Sequence, residues 1–171
     1  MKRYRVLAAA MALLLVLGLA GCGRGAEQTE SEVSIRETVT EADPQTAVDK
    51  IYEALPDARI ERLTGESFAQ LFPTLDGVAE EFYGAVSNPN GGLADVIIVK
   101  PVERSGARDT VREALRGYQD KRMREFENYD ILNALTIATE AQVVDQGDYV
   151  LLLMLADNNA ARDIIDQYLP L

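Results

Sequence analysis

The chain of 171 residues has no histidine, no tryptophan, a single cysteine and fewer basic than acidic side chains. Each shortage closes off a class of chemistry. Without histidine, Ser-His-Asp and Cys-His constellations lack the base that titrates near neutrality. Zinc centres draw on His and Cys, and one cysteine cannot furnish them. Without tryptophan there is no indole platform for a sugar ring, which weighs against a glycosidase even though 28 acidic residues offer many carboxylate pairs. Seventeen basic residues leave a net charge of −11, so the chain is not drawn to a phosphate backbone and no nucleic-acid partner is expected.

Motifs thin the options further. Neither G-x-x-x-x-G-K-[ST] nor G-x-G-x-x-G occurs, and no S-x-x-K pattern offers a serine–lysine pair. Gly65-Glu-Ser-Phe-Ala69 approaches the G-x-S-x-G nucleophile elbow but lacks its last glycine and any histidine partner; Thr64 or Ser67 reads better as a helix cap. Asp145-Gln-Gly-Asp148 and Asp157-Asn-Asn159 offer oxygens for calcium without the loop spacing calcium needs. They read instead as a tight turn and a helix N-cap. No metal, no cofactor and no catalytic residue is assigned.

The lone cysteine has a context. Lys2, Arg3 and Arg5 precede an uncharged run from Val6 to Ala20, rich in Leu and Ala. A basic start, a short apolar run and then small residues form the pattern of an export signal. As a helix the run would span about 22 Å, short of the roughly 30 Å hydrocarbon core of a bilayer. Leu19-Ala-Gly-Cys22 resembles the lipobox of bacterial lipoproteins. That resemblance implies cleavage before Cys22, a diacylglycerol on its sulfur, and a membrane partner reached through the lipid on the extracytoplasmic face. Two acyl chains anchor stably where one binds only marginally. Loss of Lys2, Arg3 and Arg5 leaves the mature chain at −14.

Residues 22–43 are polar and acidic and read as a flexible tether; residues 44–171 read as one domain. Asp43-Pro44 is a helix start, with Val48, Ile51, Tyr52 and Leu55 on one face and Pro56 as the stop. A short helix is predicted over 66–71. Two strand-like runs, 78–87 and 94–100, flank the turn residues Asn88 to Gly92. A helix over 105–128 shows an apolar face of Val111, Leu115, Tyr118 and Phe126, with Arg122 in its midst. A short helix over 131–139 and a second hairpin, 141–145 with 148–156, follow. The run Tyr149 to Leu155 is apolar on both faces and predicts a central strand. A last helix covers 159–168. The fold class is therefore α+β: an antiparallel sheet of two hairpins, with helices packed on one face.

The order of elements over 44–171 carries a second resemblance. A long helix ending in Phe126-x-x-Tyr129, a Gly147-Asp-Tyr-Val-Leu151 hairpin and Asp157-Asn158 before the last helix resemble domain-of-unknown-function family 4358. That resemblance implies a lipoprotein of Gram-positive bacteria and no assigned activity.

Arg122 is the one side chain whose placement asks for a reason. Its guanidinium is a candidate anion contact in a pocket beside the sheet. Alternatively its stem lies along the apolar face and its head pairs with a surface carboxylate. The function expected from these features is a membrane-anchored, noncatalytic binding or accessory module, its partner an envelope protein or a small ligand. A carboxylate-based hydrolase acting on envelope material is the alternative.

Overall fold

The computed structural model describes residues 41–88, 92–169 and 171. The apolar run, Cys22 and nearly all of the tether lie outside the described residues, as do Pro89, Asn90 and Gly91 of the first hairpin loop.

Five strands form one antiparallel sheet: β1 (Ile60–Arg62), β2 (Ala79–Ser87), β3 (Asp95–Pro101), β4 (Gln142–Gln146) and β5 (Tyr149–Met154), in the order β1-β2-β3-β5-β4. β2–β3 and β4–β5 are the two hairpins the turn residues predict. The short edge strand β1, paired through Ile60 with Ser87, is an addition. The α+β class and the two-hairpin sheet agree with the sequence reading.

The placement of the helices does not. They were expected on one face and they cover both. Central strands β3 and β5 explain why. Ile97, Val99, Val150, Leu152 and Met154 point to one side of the sheet, and Val96, Ile98, Leu151 and Leu153 to the other. All nine are wholly buried. At roughly 1.5–3 kcal/mol for each large aliphatic side chain left in water, neither face can stay open.

The first face lies under α2 (Gly65–Leu71), α3 (Ala107–Phe126) and α4 (Ala134–Thr139), which contribute Phe68, Val111, Leu115, Tyr118, Phe126, Ala134 and Ala138. The second lies under α1 (Pro44–Glu53) and α5 (Asn158–Tyr168), through Ala47, Val48, Ile51, Tyr52, Ala161 and Ile165.

Local chemistry sets the helix starts. Asp43 caps α1, its carboxylate accepting the Thr46 N–H at 2.9 Å. These hydrogen bonds from Thr46 hold the Asp43 carboxyl below its usual range. Thr64, one of the two caps the sequence reading left open, is the N-cap of α2 and forms a reciprocal capping box with Ser67. Asp157 caps α5 by accepting from Asn159 and Ala160.

Gly84 of β2 has a φ of +142°, and a Cβ there would lie 2.1 Å from the Val96 carbonyl oxygen. No rotamer relieves a clash with backbone. Gly84→Ala is expected to lower the free energy of unfolding by about 3 kcal/mol or more, because two central strands must part. Denaturant unfolding of purified protein checks this; an unchanged midpoint would refute the close approach.

Candidate functional site

α3 carries the stripe Val111, Leu115, Tyr118, Arg122, Phe126 into the first face, and all five are buried. Arg122 is only 5% exposed and Asp95, the first residue of β3, is fully buried. A charge pair this deep needs its remaining donors and acceptors met.

Most are met within the chain. Asp95 Oδ1 accepts from Ser87 N at 2.6 Å and from Ser87 Oγ at 2.5 Å, and Oδ2 accepts from the Tyr118 hydroxyl at 2.8 Å. Arg122 Nε stands 3.1 Å from Asp95 Oδ2, close enough for ion pairing though off the line of a hydrogen bond. Arg122 Nη1 donates to Glu125 Oε2 at 2.7 Å, and Nη2 lies 3.2 Å from both the carbonyl and the Oγ of Ser87. Ser87 Oγ also accepts the Ala94 N–H at 3.0 Å, so its one donor and both acceptor sites are used. The guanidinium sits over the Phe126 ring, 5.4 Å from its centre.

The electrostatics agree with the geometry. Burial by itself would push the Arg122 pKa down, but Asp95, Tyr118 and Glu125 raise it above the ordinary value. Burial, and then the charge of Asp95, push the Tyr118 phenol well above its usual range. Arg122 stays a cation and Tyr118 stays protonated at any physiological pH. Across the hairpin, Tyr52 of α1 places its hydroxyl within hydrogen-bond reach of the Ala85 and Ala94 carbonyls, at 3.0 and 2.9 Å. The mouth of the β2–β3 hairpin is thus bolted from both faces of the sheet. Chemically, the cluster fixes the ends of β2 and β3; its charges face each other.

The other singled-out residues scatter. Asp145 pairs with Arg112 at 2.7 Å and Arg108 at 3.5 Å, while Arg108 also donates to the carbonyls of Gly147 and Tyr149, tying the second hairpin to α3. Asn158 accepts from Leu155 N and donates to the Glu140 carbonyl. Among the described residues no group of three His, Cys, Asp or Glu side chains could hold a metal ion. None of their helices is long and apolar enough to cross a membrane. Asp95 and Ser87 were missed as partners of Arg122. A charged residue opening the apolar run Val96 to Val99 was the available signal.

Residues 58–155 match the family described as Domain of unknown function (DUF4358). The chain belongs to the DUF4358 family. The matched stretch of this DUF4358 protein contains all five strands, α2 to α4, and every member of the Arg122 cluster. Helices α1 and α5, which close the second face, lie outside it. No curated protein and no solved structure matches the chain.

Proposed function

We propose that this DUF4358 protein is an exported lipoprotein, held by a diacylated Cys22 at the extracytoplasmic face of the cell membrane, and that its domain is a noncatalytic binding or accessory module. The observation that carries the anchor is Leu19-Ala-Gly-Cys22, placed directly after an uncharged run with a basic start. The preference for binding over catalysis draws on the cluster. Asp95, the one fully buried carboxylate among the described residues, has its oxygens engaged by Ser87, Tyr118 and Arg122, and none of that geometry leaves a reacting group presented to a substrate. A general acid of a carboxylate hydrolase needs a raised pKa. Hydrogen bonds from Thr46 hold the Asp43 carboxyl below its ordinary range, and a hydrogen bond from Tyr83, the largest cause, does the same for Glu81, opposite to the direction a general acid requires.

The test is growth with an alkyne fatty acid, followed by fractionation of wild type and Cys22→Ser. The wild-type chain is expected to carry the label and sediment with membranes, and Cys22→Ser to lose both. A Cys22→Ser chain that remains in the membrane fraction would overturn the anchor.

A further inference from the structure

The domain has two distinct ends. The Asp43 N–H donates to the Tyr168 carbonyl at 2.9 Å, and Gln146 Nε2 donates to the Leu169 carbonyl at 2.8 Å. The chain therefore enters the domain beside Gln146 and Tyr149, near the Val99 end of β3. At the Asp95 end lies Gly92, where an added Cβ would stand 3.3 Å from Leu132 Cδ1. The turn Ile131–Asn133, between α3 and α4, thus sits at the end opposite chain entry, roughly 20 Å away along β3.

That turn is unlike the rest of the described surface. Leu132 adopts φ +52° and ψ +38°, and Asn133 follows at φ +61°. Left-handed backbone is costly for leucine, and it persists only where the surroundings enforce it. Here Asp130 Oδ1 accepts the Leu135 N–H at 2.9 Å across the turn, and the Asp95–Arg122 cluster fixes the hairpin mouth and the last turns of α3 that lead into it. The strain does not serve burial, since Leu132 is 67% exposed and Tyr129 is 72% exposed. The Phe126-x-x-Tyr129 pair by which the chain resembles its family is split: Phe126 is core, and Tyr129 stands in water.

We propose that the turn from Tyr129 to Asn133 is the docking surface for an envelope protein that offers an apolar pocket with a basic rim. Exposed Glu127 and Asp130 bracket Tyr129, and the chain as a whole is strongly acidic. Such charge opposes an anionic bilayer or a second copy of the chain and favours a basic rim. Tyr is among the side chains that anchor interfaces, and exposed Leu132 adds apolar surface to the same turn. The proposal deepens the binding-module reading and rests on the anchor only for bringing the chain among envelope proteins.

The experiment uses the full-length chain in cells, with p-benzoylphenylalanine in place of Tyr129 or, at the entry end, in place of exposed Gln45. Irradiation is expected to give one protein adduct from position 129 and none from 45. The captured protein, once purified, is expected to bind the full chain about tenfold or more weakly after Tyr129→Asp, and more weakly as salt rises. Leu132→Gly is the second variant: glycine accepts the left-handed backbone, so the melting temperature should hold or rise while binding falls, a split that a merely structural turn would not give. Equal adducts at both positions, adducts only with lipid or with a second copy, no adduct at 129, or binding indifferent to Tyr129→Asp would each overturn the docking surface. Fractionation of the same cells separates the two readings. A soluble chain still crosslinked at 129 defeats the anchor alone, and an anchored chain without an adduct defeats the docking surface alone.

Discussion

A chain cut back to residues 58–155, the family-matched stretch, is expected to show no cooperative unfolding transition. Removing α1 and α5 uncovers the second face of the sheet, where Ala85, Val96, Ile98, Leu151 and Leu153 are now wholly buried. The four larger side chains together account for about 6–12 kcal/mol of burial, as much as the entire stability of an ordinary domain. The loss extends to Tyr52, whose hydroxyl reaches the Ala85 and Ala94 carbonyls. Circular dichroism during a urea titration would read the result. The truncated chain should change signal gradually and bind a hydrophobic dye already without denaturant, whereas residues 41–171 should unfold in one step. A soluble 58–155 fragment with a sharp transition would mean that the second layer is an accessory and not part of the core.

Asp95→Ala should be the most damaging single truncation in the polar cluster. It leaves the Arg122 guanidinium buried opposite an alanine, with Ser87 and Tyr118 also deprived of their acceptor. Breaking a buried pair on one side costs about 3–5 kcal/mol, because the surviving guanidinium stays buried and keeps only the partly exposed Glu125 carboxylate as its charge partner. Arg122→Ala should cost less: three donors still serve the Asp95 carboxylate. Removing both charges together, as Asp95→Leu with Arg122→Met, should recover much of the loss. The double variant therefore separates two roles. A stable double variant with a wild-type loop end would make the pair a strut; a stable one whose hairpin and turn no longer hold their places would make it a specifier of conformation. Equal, small losses for all three variants would refute the buried geometry.

Much of this architecture could be read from residue patterns because its local signals are complete. Asp43-Pro44, Thr64 with Ser67, and Asp157 each supply a cap that needs only a few neighbours, and each caps the helix read from it. The 3.6-residue stripe of α3 placed Arg122 among core positions, where it is. The failures share a cause. Which face a helix covers is a long-range decision, and it was misjudged although the both-sided run Tyr149 to Leu155 already required two lids. The three-residue β1 has no periodicity to detect and exists because the β2 edge recruits it. The partner of Arg122 was equally hidden. Twenty-seven residues separate it from Asp95, and only the folded hairpin brings them within 3.1 Å.

The two candidate residues stand differently. Arg122 is accounted for by carboxylates of its own chain. Cys22 lies outside the described residues, and its sequence context is a basic start, an apolar run too short to span, small residues, then a thiol. If it is acylated, the acidic domain is tied to the membrane through the chain that enters it at Asp43.

The most direct measurement is the intact mass of the protein extracted from membranes, with sequencing of its N-terminal peptide. The anchored reading expects a chain beginning at Cys22 that carries a diacylglycerol on its sulfur. A chain still beginning at Met1, with Cys22 as a free thiol, would contradict it.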